Sequence, residues 1–132
     1  MIKSYKFKKN IYNLIEHPIL TLSLLYKVLK TYFFENYIKK KSKNFFIKNN
    51  LIKYIQTNDP KEIPPEWTDL KRIYDLVRSR KPHCTVEFGS GVSTIVIALA
   101  LKENELKDKI SGRLFSVEGN QYWMENTQKK IP

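Results

Sequence analysis

The residues best able to do chemistry stand together in one stretch, Glu87-Phe88-Gly89-Ser90-Gly91-Val92-Ser93-Thr94. An apolar run from Thr85 to Phe88 meets two glycines one residue apart, and an apolar helical run from Val92 to Leu101 follows. That order predicts a strand, a tight glycine turn and a helix. Glycine permits positive φ and lets a ligand reach the bare backbone. The first N–H groups of the helix lack intrahelical acceptors and favour an anionic group beside them. The chemistry expected is binding of a nucleotide-like ligand that carries a carboxylate or phosphate. Ser93 and Thr94 also suit helix capping, a role compatible with lining such a site.

The details of the turn bear on the ligand. A dinucleotide turn has the form Gly-x-Gly-x-x-Gly with an apolar residue two places before the first glycine. Here those places hold Thr94 and Glu87. An acid at the strand end repels pyrophosphate but can hold an amino group. The pattern Glu87-x-Gly89-x-Gly91-x-Ser93 resembles motif I of the class I S-adenosylmethionine-dependent methyltransferases. The resemblance implies S-adenosylmethionine as cofactor, its methionine part held by Glu87 and by the turn Phe88, Gly89, Ser90 and Gly91, with Ser93 alongside.

Further along, Arg113 to Glu118 reads as a short strand ending in an acid, Gly119-Asn120 as a turn, and Gln121 to Lys130 as a helix. A carboxylate there offers two acceptor oxygens to a ribose diol. The resemblance gives Glu118, with Gly119 beside it, that ribose-binding place. Gly91 and Glu118 are 27 residues apart, against roughly 20 in a compact unit of this kind. The extra length falls in Lys102 to Gly112, a charged loop or helix extension.

These elements predict an α/β fold: an incomplete Rossmann-like, doubly wound parallel sheet preceded by an α-helical N-terminal region. The resemblance covers roughly Glu66 to Pro132. The chain reads as the N-terminal part of a larger methyltransferase, because later strands would carry the adenine contacts, the acceptor pocket and any catalytic base. Alone it is expected to be inactive and poorly stable or to need a partner. Neither the methyl acceptor nor a catalytic residue is legible. Two alternatives stay open: an NAD(P)-binding Rossmann protein, against which Glu87 and Thr94 argue, and a non-enzymatic basic module that binds a membrane or a partner.

The charge divides the 132 residues in two. The formal net charge is +11, and nearly all of it lies in residues 1–58, where lysines are many and the only acids are Glu16 and Glu35. Residues 59–132 are nearly neutral and hold all the arginines and both tryptophans. We therefore expect a basic amphipathic helical region, 1–58, and a cofactor-binding region, 59–132, joined near Thr57-Asn58-Asp59-Pro60.

Within the basic region, Ile15, Ile19, Leu22, Tyr26, Leu29 and Phe33 repeat at helical spacing, with Leu14, Leu25 and Tyr32 widening the stripe. Pro18 suits the first turn of a helix starting near His17. A second helix is expected from Phe45 to Ile55, with Lys39-Lys40-Lys41-Ser42-Lys43 between the two. These helices would pack on the cofactor-binding region, and their lysines would make any contact with an anionic membrane peripheral. Glu16, His17, Lys27 and Lys30 interrupt the run too often for a membrane span of about 20 residues. No small-residue cleavage site marks a signal peptide. Nucleic acid is a poor partner, since the basic region lacks the arginine that grips phosphate and bases.

The remaining signals are mostly exclusions. A single cysteine, Cys84, permits no internal disulfide and suggests a buried inert thiol in a reducing, cytoplasmic setting. His17 and His83 assemble no catalytic or metal-binding group. Lys61 to Glu66, with Pro64-Pro65, is a stiff link. It leads into a helix from about Glu66 with Trp67, Leu70, Ile73, Tyr74 and Val77 on one face and an Asp75–Arg78 surface pair.

Overall fold

A computed structural model describes residues 18–56 and 59–131. The order is α1 (Pro18–Lys48), α2 (Ile52–Ile55), α3 (Trp67–Arg80), β1 (Cys84–Phe88), α4 (Val92–Glu103), a π-helical turn (Asn104–Asp108), β2 (Arg113–Val117) and α5 (Gln121–Gln128). Leu14, Ile15, His17 and the Thr57-Asn58 joint lie outside the described residues. The chain forms two compact units, Met1–Ile38 and Lys39–Pro132.

The lysine cluster does not separate two helices. Lys39, Lys40, Lys41 and Lys43 lie inside α1, which runs 31 residues from Pro18. Lysine is a good helix former and nothing in the cluster breaks the backbone ladder. The break comes at Asn49-Asn50, where Asn50 takes φ 55°, a left-handed conformation that asparagine tolerates and that ends helices. In the first unit, Leu22, Tyr26, Leu29 and Phe33 of the expected stripe are exposed, as are Leu20, Leu24, Val28 and Phe34 on other faces. No helix among the described residues is long and apolar enough to cross a membrane.

The second unit has a core. Glu66 starts α3 by accepting a hydrogen bond from the Thr68 N–H, and the expected face of α3 buries Trp67, Leu70, Tyr74 and Val77. They pack against Val96, Ile97, Ala100 and Leu101 of α4, with Phe46 and Ile55 completing the cluster. Phe46, fully buried, lies against the rings of Trp67 and Tyr74. Each such side chain contributes about 1.5–3 kcal/mol by leaving water.

A polar clamp closes the far end of the α3–α4 pair. Arg78 does not pair with Asp75, which takes Lys71 instead. Arg78 turns inward and donates to Asn104 and to Asp108 at 2.7 Å, with Glu103 at 3.6 Å. Tyr74 donates to Glu103, and the buried Asn104 donates to the Val77 carbonyl at 3.1 Å. Partial burial acts to raise the Glu103 pKa, but the Lys107 and Tyr74 donors and the nearby cations leave it below the usual glutamate value. Burial, then Glu103 itself, pushes the Tyr74 phenol up. The clamp sits on the π-helical turn, so the extra length between the two strands is a helix extension followed by a loop. In that loop Gly112 has no room for a side chain: a Cβ there would stand 2.4 Å from the Pro82 carbonyl oxygen and 2.6 Å from Leu101.

β1 and β2 are parallel neighbours, with Thr85 opposite Leu114 and Glu87 opposite Ser116. Leu114 packs towards the helical core. Alternation therefore sends Cys84, Val86, Phe88, Arg113, Phe115 and Val117 to the other face, where all six are exposed. Cys84 is thus an exposed thiol and not a buried one. Sheets of parallel strands are ordinarily covered on both faces; among the described residues helix covers one face only. The described residues form a mixed helix-and-strand protein with a small two-stranded parallel sheet.

Candidate functional site

The glycine turn sits at the C-terminal ends of both strands. Gly89 has φ 89°, the conformation for which glycine is needed, and its N–H donates to the Val117 carbonyl at 2.8 Å. Ser116 Oγ returns a hydrogen bond to the Gly89 carbonyl at 3.0 Å. These two bonds extend the β1–β2 pairing into the turn. Gly91 has an extended φ of 174°, so its lack of a side chain matters for space and not for backbone strain. A Cβ at Gly91 would meet nothing within 4 Å.

Side chains tie the turn to its surroundings. Glu118 Oε2 accepts from the Ser90 N–H at 2.7 Å and the Ser90 hydroxyl at 3.1 Å. Its Oε1 accepts from the Asn120 N–H at 2.8 Å. The Ser90 N–H and then the Asn120 N–H hold the Glu118 carboxyl below the usual glutamate value. Glu118 therefore staples the turn after β1 to the turn after β2. Oε1, with one donor, retains lone-pair capacity for another. Gly119, exposed, has open space around its backbone.

Glu87 points to the helical side of the sheet. Its Oε2 accepts from the Ser93 hydroxyl at 3.3 Å, while its Oε1 is buried without a hydrogen-bond partner among the described residues. Thr94, buried, caps α4 by accepting from the Gly91 N–H at 2.9 Å. Capping thus falls to Thr94, and Ser93 orients Glu87. Phe88 is 87% exposed, on the open face of the sheet. Separate hydrogen bonds join Glu87 to Ser93, Ser90 to Glu118, Gly91 to Thr94 and Gly89 to β2 around this one turn; the Phe88 side chain is exposed on the open face of the sheet.

A cavity of about 450 Å³ opens beside the turn. Ser90, Gly91, Val92 and Ser93 form one wall, and Lys61 to Glu66 another. Leu70, Ile95 and Trp123 give it an apolar lining, with Thr127 and Lys130 at the α5 side. Ligand sites are commonly cavities of this size with few polar groups. Asn120 caps α5 by accepting from the N–H groups of Tyr122 and Trp123, which fixes Trp123 at the cavity. Glu62, Trp123 and Lys130 are the site residues that sequence reading misses. Lys61 to Glu66 reads as a mere link, and the one available signal is an acid two residues before a pair of prolines.

His83 lies at the opposite end of β1, its Nδ1 3.2 Å from the Ser111 carbonyl oxygen. Among the described residues no group of acids, histidines and cysteine is arranged to hold a metal ion. No protein-family profile, no curated protein and no solved structure matches this chain.

Proposed function

We propose that the unit Lys39–Pro132 binds S-adenosylmethionine and serves a class I methyltransferase as its cofactor-binding part, in a Rossmann-like arrangement. The observation that carries this reading is the glycine turn at the C-terminal ends of two adjacent parallel strands, bonded to the acid at the end of the second strand and bordering a cavity. Ligands of open α/β sheets sit outside the carboxyl ends of the strands. The free N–H groups at the start of α4 suit the cofactor carboxylate, and the open space at Gly91 lets a ligand approach the backbone. Glu118 would accept a ribose hydroxyl with the remaining lone pair of Oε1.

The methyl group passes in line from the sulfonium to the acceptor nucleophile, and a protein accelerates such a step chiefly by positioning the two. No residue is assigned as a general base. Calorimetric titration with S-adenosylhomocysteine, the demethylated product, and with NAD tests the reading. Binding of the first and not the second supports it. Tighter binding of NAD would transfer the site to a nicotinamide cofactor.

For the N-terminal helix we propose peripheral contact with an anionic membrane surface. The exposed apolar residues of Pro18–Ile38, among them Leu25, Tyr26, Leu29 and Phe33, precede Lys39, Lys40, Lys41 and Lys43, and Lys27 and Lys30 punctuate the same helix. Apolar burial at the headgroup boundary together with lysine attraction is the pattern of an interfacial helix. Each lysine near such a surface contributes about 1 kcal/mol, and salt screens it. Sedimentation with phosphatidylserine vesicles, released by high salt and absent with phosphatidylcholine alone, is the expected result. Failure to sediment at low salt overturns this part.

A further inference from the structure

Glu62 lines the same cavity as the glycine turn, on the segment that leads into α3. Its side chain is only 9% exposed. One oxygen, Oε1, accepts from Asn126 Nδ2 at 2.5 Å and from Lys130 Nζ. The other, Oε2, is buried with no hydrogen-bond partner among the described residues. A buried carboxylate oxygen left unpaired is costly, and such an atom in a cavity wall is an acceptor held for a donor the cavity is to receive. Val92 and Ser93, also in the lining, begin α4, whose first N–H groups favour an anion.

The cavity lining thus offers an acceptor for a cationic donor and donors for an anion. A free α-amino acid end carries an ammonium and a carboxylate on the same carbon, and so supplies a partner for each. We infer that Glu62 is the residue that receives the α-ammonium of the ligand, with the α-carboxylate at the start of α4. This inference rests on the S-adenosylmethionine reading and adds to it a specificity residue outside the glycine turn. Lys130 and Asn126 are positioning residues: they occupy Oε1 and leave Oε2 for the ligand. Glu87, whose Oε2 is engaged by Ser93, does not line this cavity and orients the turn from behind.

The test uses two probes that share the adenosine part. S-adenosylhomocysteine keeps the amino acid end; methylthioadenosine lacks it. In Glu62→Gln, which keeps shape and one acceptor oxygen but loses the charge, affinity for S-adenosylhomocysteine falls by roughly tenfold or more, while affinity for methylthioadenosine stays that of the wild type. The unchanged second affinity shows that the variant is folded. Equal losses for both probes, or no loss for either, overturn the role of Glu62 and leave the cofactor reading standing. A wild-type protein that binds neither probe overturns both.

Discussion

The two compact units use similar side chains to opposite ends. The segment 18–38 of α1 is rich in Leu, Tyr and Phe, and the segment 67–101 also carries many aliphatic and aromatic residues. In the second unit these residues meet across α3 and α4 and exclude water. In the first, Leu22, Tyr26 and Phe33 are each more than 60% exposed. The difference lies in pattern. Apolar residues of α3, Leu76 excepted, keep to one stripe, and Asp69, Arg72 and Asp75 are exposed off it. In the N-terminal helix, Leu20, Leu24, Val28 and Phe34 break out of the stripe. Hydrophobic content alone therefore does not mark a core.

The largest test of this comparison exchanges one phenylalanine in each unit for alanine. Phe46→Ala should cost about 3–5 kcal/mol in urea denaturation, as truncation of a fully buried aromatic does. Phe33→Ala, at a side chain 68% exposed, should stay within about 0.5 kcal/mol and should instead weaken vesicle sedimentation. A large stability loss at Phe33 would mean that its side chain is covered in the folded protein.

Two glycines sharpen the contrast within the second unit. Gly112→Ala drives a Cβ against the Pro82 carbonyl and Leu101, and should cost about 1–3 kcal/mol. Gly91→Ala, with open space and an extended φ, should leave the melting temperature near that of the wild type. Equal melting temperatures for the two variants would refute the packing assigned to the Gly112 loop.

A smaller effect is expected at Glu118. Its carboxyl is held below the ordinary value of 4.5 by the Ser90 and Asn120 N–H groups. A depressed carboxylate contributes stability that is present above about pH 4.5 and is lost as pH falls through its folded value. Melting temperature measured between neutral pH and pH 3 should therefore fall less steeply in Glu118→Gln than in the wild type. Parallel profiles would show that the staple between the two turns is not formed in solution.

Strand, turn and helix at Glu87–Thr94 were legible because glycine spacing and the change of period report directly on backbone geometry. So was the pairing of 85–88 with 114–117, since a strand–helix–strand unit brings its strands together in parallel. The lysine cluster was misread as a joint because like charges suggest solvent. Side-chain charge does not interrupt a helix, however, and Asn50 with positive φ does. Cys84 was misread because thiols are usually buried, while its face of the sheet depends on register and on which face the helices cover. Arg78 was given a surface partner at helical spacing; its true partners, Asn104 and Asp108, are distant in sequence. Glu62 was invisible for the same reason, its place in the cavity being set by contacts with Asn126 and Lys130 that no local pattern encodes.

The central claim is that the glycine turn is a ligand site and not only a tight connection. Gly91→Val tests it most directly, because the space beside Gly91 is empty of protein and its φ suits any residue. Melting curves and calorimetric titration with S-adenosylhomocysteine would be run on the same preparations of wild type and variant. The account predicts similar melting temperatures, binding by the wild type and none by the variant. Binding of equal strength by both proteins would contradict it.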